Sequence, residues 1–66
     1  MQKEIKFPGL LAEMAKRGEK KSDIAVLLGI PKPSITKRFA GEIDWRIGEI
    51  ETICNHYDKN YYELFK

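Results

Sequence analysis

Apolar side chains recur at intervals of three and four along the chain, the spacing of helices that bury one face. Phe7, Leu10, Leu11 and Met14 form the first stripe. Pro8 suits a first helical turn, where its missing N–H is harmless. Gly18 is a natural stop, with Lys16 and Arg17 near the helix's negative end. These signals predict a helix over about 8–17. Ile24, Leu27 and Leu28, with Ala25 beside them, predict a second helix over about 21–28, closed by Gly29. Pro31 and Pro33 break the helical run, and a third helix follows over about 32–40, with Ile35 and Phe39 on its buried side and Gly41 at its end. Residues 42–46 read as a loop. Ile47, Ile50, Ile53, Cys54 and Tyr57 give the fourth helix its apolar face. Asn60 and Glu63 stand at capping-box spacing and start a short fifth helix ending in Leu64 and Phe65. No segment alternates with the period of a strand.

The expected core is Leu10, Met14, Ile24, Ala25, Leu28, Ile30, Ile35, Phe39, Ile47, Ile50, Ile53, Cys54, Leu64 and Phe65. The expected fold class is all-α, a compact bundle of five short helices forming a single domain over residues 1–66.

Composition narrows the function. At 42% apolar and 33% charged residues, the chain is too apolar for a disordered tail. No apolar run approaches the roughly 18 residues of a membrane span, and the first residues lack the apolar stretch of a signal peptide. Cys54 is the one cysteine, which excludes an internal disulfide and a CxxC pair. His56 is the one histidine and reads as an exposed helix residue. Glu49 and Glu51, two apart, point to different helix faces and make no carboxylate pair. So short a domain has little room for an enclosed catalytic pocket. The expectation is a cytoplasmic protein that is not an enzyme and uses no cofactor or metal.

Charge is distributed unevenly. Residues 1–41 hold nine basic and four acidic side chains, and residues 42–66 hold three basic and six acidic. The chain's net charge of +2 therefore conceals a basic half able to face a polyanion. Within residues 31–41, Lys32, Lys37 and Arg38 stand without any acid.

The segment 21–41 meets the requirements of two short helices crossing at a tight turn. Ala25 is small where the helices cross, Gly29 tolerates positive φ in the turn, Ile30 plugs the angle and Ile35 anchors the second helix. Asp23-Ile-Ala-Val-Leu-Leu-Gly-Ile30 and Ser34-Ile-Thr-Lys-Arg-Phe-Ala-Gly41 resemble the helix-turn-helix of the lambda-repressor-like family, the phage Cro and repressor class also called Xre. Glu49-Ile-Glu-Thr-Ile-Cys54 and Asn60-Tyr-Tyr-Glu-Leu-Phe65 resemble that family's fourth and fifth helices, and the opening Phe7 to Gly18 is similar to its short phage-encoded members. The resemblance spans nearly the whole chain.

What the resemblance implies is a transcription regulator, a phage or bacterial repressor of the Cro kind, that binds double-stranded DNA with its third helix in the major groove. Mapped residue by residue, the base contacts fall on Lys32, Pro33, Ser34, Thr36 and Lys37. Lysines donate to guanine O6 and N7, hydroxyls serve bases or phosphate, and a proline ring touches a thymine methyl. Phosphate contacts fall on Lys20, Lys21, Arg38 and Arg46. Two lysines, two hydroxyl residues and a proline are few base contacts for one module, so the expectation is a homodimer on DNA, with either a monomer or a dimer when free, and Tyr61, Tyr62 and Phe65 as the candidate contact residues. The expectation is a Cro-like regulator without a sensor domain, or the DNA-binding half of a longer repressor. Lys20 and Pro31 depart from the family's capping residues. Glu42 and Asp44 place acid in the loop where its members are neutral or basic. An alternative reading keeps the fold and turns its surface to protein partners, as an antitoxin or adaptor does.

Overall fold

The computed structural model describes residues 6–65. Five helices follow one another: α1 (Pro8–Lys16), α2 (Lys21–Leu28), α3 (Lys32–Ala40), α4 (Ile47–Tyr57) and α5 (Tyr61–Phe65). There is no strand among the described residues. The helices start and stop where local chemistry directs. Gly29 adopts a φ of 68° at the end of α2. Its N–H donates to the Val26 carbonyl and the Ile30 N–H to that of Ala25, the paired bonds of a Schellman motif. The same pairing closes α4, where Asp58 takes the left-handed position.

Three helix starts use an acid or amide three residues in. The Lys20 N–H donates to Asp23 at 2.8 Å and the Arg46 N–H to Glu49 at 3.0 Å. At α5 the exchange is reciprocal: Asn60 N–H to Glu63, and Glu63 N–H back to the Asn60 amide oxygen at 2.9 Å. Pro31, at the start of α3, provides no side-chain cap.

Helix α1 packs on α5, α2 packs on both α3 and α4, and α4 also meets α5. The Cα radius of gyration, 11.2 Å, is close to the roughly 11 Å expected of a compact chain of this length. Leu10, Met14, Ile24, Ala25, Ile35, Phe39, Ile53, Tyr57, Leu64 and Phe65 form the buried core, with Phe7, Leu11, Leu28, Ile30, Trp45, Ile50 and Cys54 packed against it.

The core differs from expectation at two positions of α4. Ile47 is 77% exposed and lies outside the core. It opens the helix, and its place in the apolar stripe carries it past the last layer it could pack on. Tyr57 is buried instead, at the other end of that stripe. Its hydroxyl donates to Glu19 at 2.6 Å, so the ring is covered without stranding a polar atom. Burial and the Glu19 carboxylate both push the Tyr57 hydroxyl well above its ordinary range. Arg17 closes the same corner, donating to the carbonyls of His56 and Tyr57 and lying 4.9 Å over the Tyr57 ring.

Trp45 bridges the loop to the core. Its ring meets Phe39, Phe7 and Phe65 edge to face at 5.3, 5.9 and 5.4 Å. The indole N–H is buried without a hydrogen-bond partner.

The α2–α3 turn gives a direct test. Gly29→Val forces a β-branched residue into positive φ and should cost about 2 kcal/mol. Thermal unfolding should then begin roughly 10 °C lower. Gly29→Asn should lose far less, because asparagine tolerates this region. Equal melting of the valine variant and the parent would mean that the turn does not require positive φ.

Candidate nucleic-acid interface

Helix α3 buries one side and presents the other. Ile35 and Phe39, one turn apart, point into the core. At about 100° per residue, Pro33 and Lys37 then centre the opposite face, with Thr36 beside them. Pro33, Thr36 and Lys37 are exposed, as is Lys32 at the helix start, whereas Ser34 is half-buried. The base-contact residues expected from the sequence therefore share one helix, and four of the five face solvent.

Among the expected phosphate contacts, Lys20, Lys21 and Arg46 are exposed. Lys20 and Lys21 stand at the start of α2, and Arg46 immediately precedes α4. The Lys21 ammonium lies 5.2 Å over the Phe39 ring, a cation–π contact tying the start of α2 to α3.

Arg38 is the correction. It is only 6% exposed and its guanidinium is committed within the fold. Nε and one terminal nitrogen donate to the two oxygens of Glu49 at 2.8 and 3.0 Å, and the other terminal nitrogen donates to the Ser34 carbonyl at 3.3 Å. A side chain so engaged does not reach a phosphate. Its role is to fasten α3 to the first turn of α4.

Glu49 is the residue that sequence reasoning missed. One of its oxygens accepts from both Arg38 and the Arg46 N–H. A single carboxylate thus caps α4 and clamps α3 from behind. Burial pushes this carboxyl up, but the hydrogen bonds from Arg38 and Arg46 and the Arg38 charge outweigh it, holding the group below its ordinary 4.5. The available signal was an acid at the third position of a predicted helix, the place from which it reaches back to the cap.

Charge near α3 is mixed. Glu42 and Asp44 are exposed in the loop that follows it. Elsewhere, Glu19 accepts from Tyr57 and contacts His56 Nε2 at 2.9 Å. The hydrogen bonds from Tyr57 and then His56 lower its carboxyl against the opposing effect of burial. Cys54 is a free, half-buried thiol whose acidity burial reduces. No group of three His, Cys, Asp or Glu side chains among the described residues is placed to hold a metal ion. No helix there is long and apolar enough to cross a membrane.

No protein-family profile, curated protein or solved structure matches this chain. The exposed residues of α3 and the clamp behind them therefore carry the functional argument.

Proposed function

We propose that the protein is a sequence-specific, double-stranded DNA-binding transcription regulator, a cytoplasmic repressor of the lambda-repressor-like helix-turn-helix kind. In this reading α2 and α3 are the helix-turn-helix, and α3 lies in the major groove. The observation that carries it is the exposed face of α3. Pro33, Thr36 and Lys37 stand there, with Lys32 exposed at the helix start and no acidic residue on the helix, which Arg38 and Glu49 fasten to α4. Lys32 and Lys37 read bases, with Pro33, Thr36 and the half-buried Ser34 beside them. Lys20, Lys21 and Arg46 hold phosphates.

One such face offers few base contacts, and Glu42 and Asp44 repel phosphate nearby. Two copies on a two-fold duplex share the contacts, the second binding at high effective concentration. Their half-sites lie about 34 Å apart, one turn of the duplex. Of the contact residues expected for the dimer, Tyr61 and Tyr62 are exposed, whereas Phe65 is buried.

Selection of bound duplexes from a random pool tests the reading. Enriched palindromes are expected, with affinity falling steeply as salt rises. Lys32→Ala and Lys37→Ala should each cost about 1–3 kcal/mol on the selected duplex and relax its sequence preference. Lys20→Ala, Lys21→Ala and Arg46→Ala should weaken all duplexes alike and each reduce the salt slope by about one. A pool that yields no enriched sequence removes the proposal.

Exposed Val26, Ile47 and Tyr62 favour a second reading, a protein-interaction module such as an antitoxin or adaptor. Binding to a partner through these side chains would change little with salt, which separates the two readings.

A further inference from the structure

Pro33 sets an apolar ring at the centre of the exposed face of α3. Thr36 and Lys37 follow it by three and four residues, so both are its neighbours on the helix surface. Lys32, at the helix start, is Thr36's neighbour in the same way. The ring carries no polar atom, and the backbone beside it offers none in its place. Pro33 has no N–H, and those of Ser34 and Ile35 both donate to the Pro31 carbonyl, at 3.1 and 3.2 Å. The Thr36 side chain is not tied down either. Its hydroxyl makes no hydrogen bond with another described residue, whereas that of Thr52 in α4 donates back to the Gly48 carbonyl at 2.9 Å. The Pro33 ring and the methyl-bearing Thr36 thus make a small apolar spot flanked by Lys32 and Lys37.

We propose that this spot recognises the C5-methyl group of a pyrimidine, on thymine and on 5-methylcytosine alike, so that cytosine methylation within the target duplex strengthens binding. The inference rests on the reading that α3 lies in the major groove. An oxygen or amino group of a base edge facing Pro33 would lose its water and gain no hydrogen bond in return. The C5-methyl is the apolar group on the major-groove edges, and among the unmodified bases thymine alone carries it. A contact made by a proline ring reads that methyl and not the base beneath it. Methylation gives cytosine the same group at the same carbon. The neighbouring exocyclic group then separates the two bases. Thymine O4 accepts from Lys37 or Thr36, whereas the cytosine amino group donates and finds only the Thr36 hydroxyl to accept. The order of affinity at this position is therefore thymine, then 5-methylcytosine, then cytosine.

The duplex selected from the random pool supplies the test. Within one half-site each thymine is replaced in turn by deoxyuridine, which keeps O4 and lacks only the methyl. The position that responds is then filled by cytosine or 5-methylcytosine opposite guanine. One thymine should respond, its uracil duplex binding the full chain about four-fold more weakly, the effect of one methyl taken out of water. At the same position 5-methylcytosine should bind about four-fold more tightly than cytosine. Pro33→Ser should bring both ratios close to one and keep the base preferences that Lys32 and Lys37 impose. Thr36→Ser, which keeps the hydroxyl and removes the methyl, should lower both ratios. The two ratios are measured on the parent, so they decide the matter even where Pro33→Ser does not fold. Uracil equal to thymine at every position, 5-methylcytosine equal to cytosine, or ratios unchanged in a folded Pro33→Ser would each overturn the proposal and leave the DNA reading standing. A pool without an enriched duplex would overturn both.

Discussion

Gly9→Ala is expected to lower the melting temperature by roughly 15 °C or more, a loss of about 3 kcal/mol in a domain of this size. A Cβ at Gly9 would collide with the Glu63 carbonyl oxygen, and would lie 3.1 Å from that carbonyl's carbon and 3.4 Å from the Leu64 Cα. All three are backbone atoms, so no side-chain rotation relieves the clash. Helix α5 must move off α1, which uncovers Leu10, Leu64 and Phe65, all core residues. The whole domain has only about 3–10 kcal/mol of stability to lose. Alanine's better helix propensity returns at most about 1 kcal/mol. Gly48→Ala is the matched control, because a Cβ there meets nothing within 4 Å. It should leave the melting temperature unchanged or slightly raised. If Gly9→Ala melts with the parent, α1 and α5 do not approach as closely as described.

Glu49→Gln should cost roughly 3 kcal/mol at neutral pH, because it leaves the buried Arg38 guanidinium without its counter-charge. The penalty should depend on pH in a fixed direction. Glu49 has a folded-state pKa below its ordinary 4.5, so its stabilising contribution is present above that value. It is lost as pH falls through the folded-state value. Parent and variant should therefore differ most near pH 7 and converge in acid. Glu19, lowered in the same way, adds to the parent's loss of stability in acid and remains in the variant. Urea unfolding of both proteins across this range measures the effect. A constant gap between them at every pH would mean that the carboxylate's charge is not what holds Arg38. Replacing both partners by apolar residues should recover part of the loss, since no buried charge is then left unpaired.

The same pair bears on function. A clamp that fastens α3 to α4 keeps Lys32 at its start and Pro33, Thr36 and Lys37 on its outer face at set positions. Loss of Glu49 should therefore weaken the proposed DNA binding even at temperatures where the variant remains folded.

Local signals in this chain reach only a few residues, and what depends on them was legible. Gly29 and Gly41 stop α2 and α3 where the sequence places the stops, Pro33 admits only a helix start, and Asn60 and Glu63 form their reciprocal cap. The periodicity of Leu10, Met14, Ile24, Ile35, Phe39 and Ile53 marks residues that are buried in the structure. The exposed arc of α3 also follows from periodicity once Ile35 and Phe39 are known to face inwards.

Contacts between distant segments had no such signal. Arg38 and Glu49 lie eleven residues apart on different helices, so nothing near Arg38 distinguishes a surface arginine from a buried one. Tyr57 reaches Glu19 across 38 residues, and that hydroxyl contact helps make its burial tolerable. Gly9 reads locally as a weak helix residue, and only the approach of α5 makes it indispensable. Ile47 continues a regular apolar stripe, yet whether a stripe is covered depends on where the packed layers end. The amino-acid pattern determined which segments are helices and which of their faces are apolar, because propensity, capping and periodicity act within a few turns. Tertiary packing decided which charges are neutralised inside and which remain available outside, because that depends on pairings the chain makes only when distant helices meet.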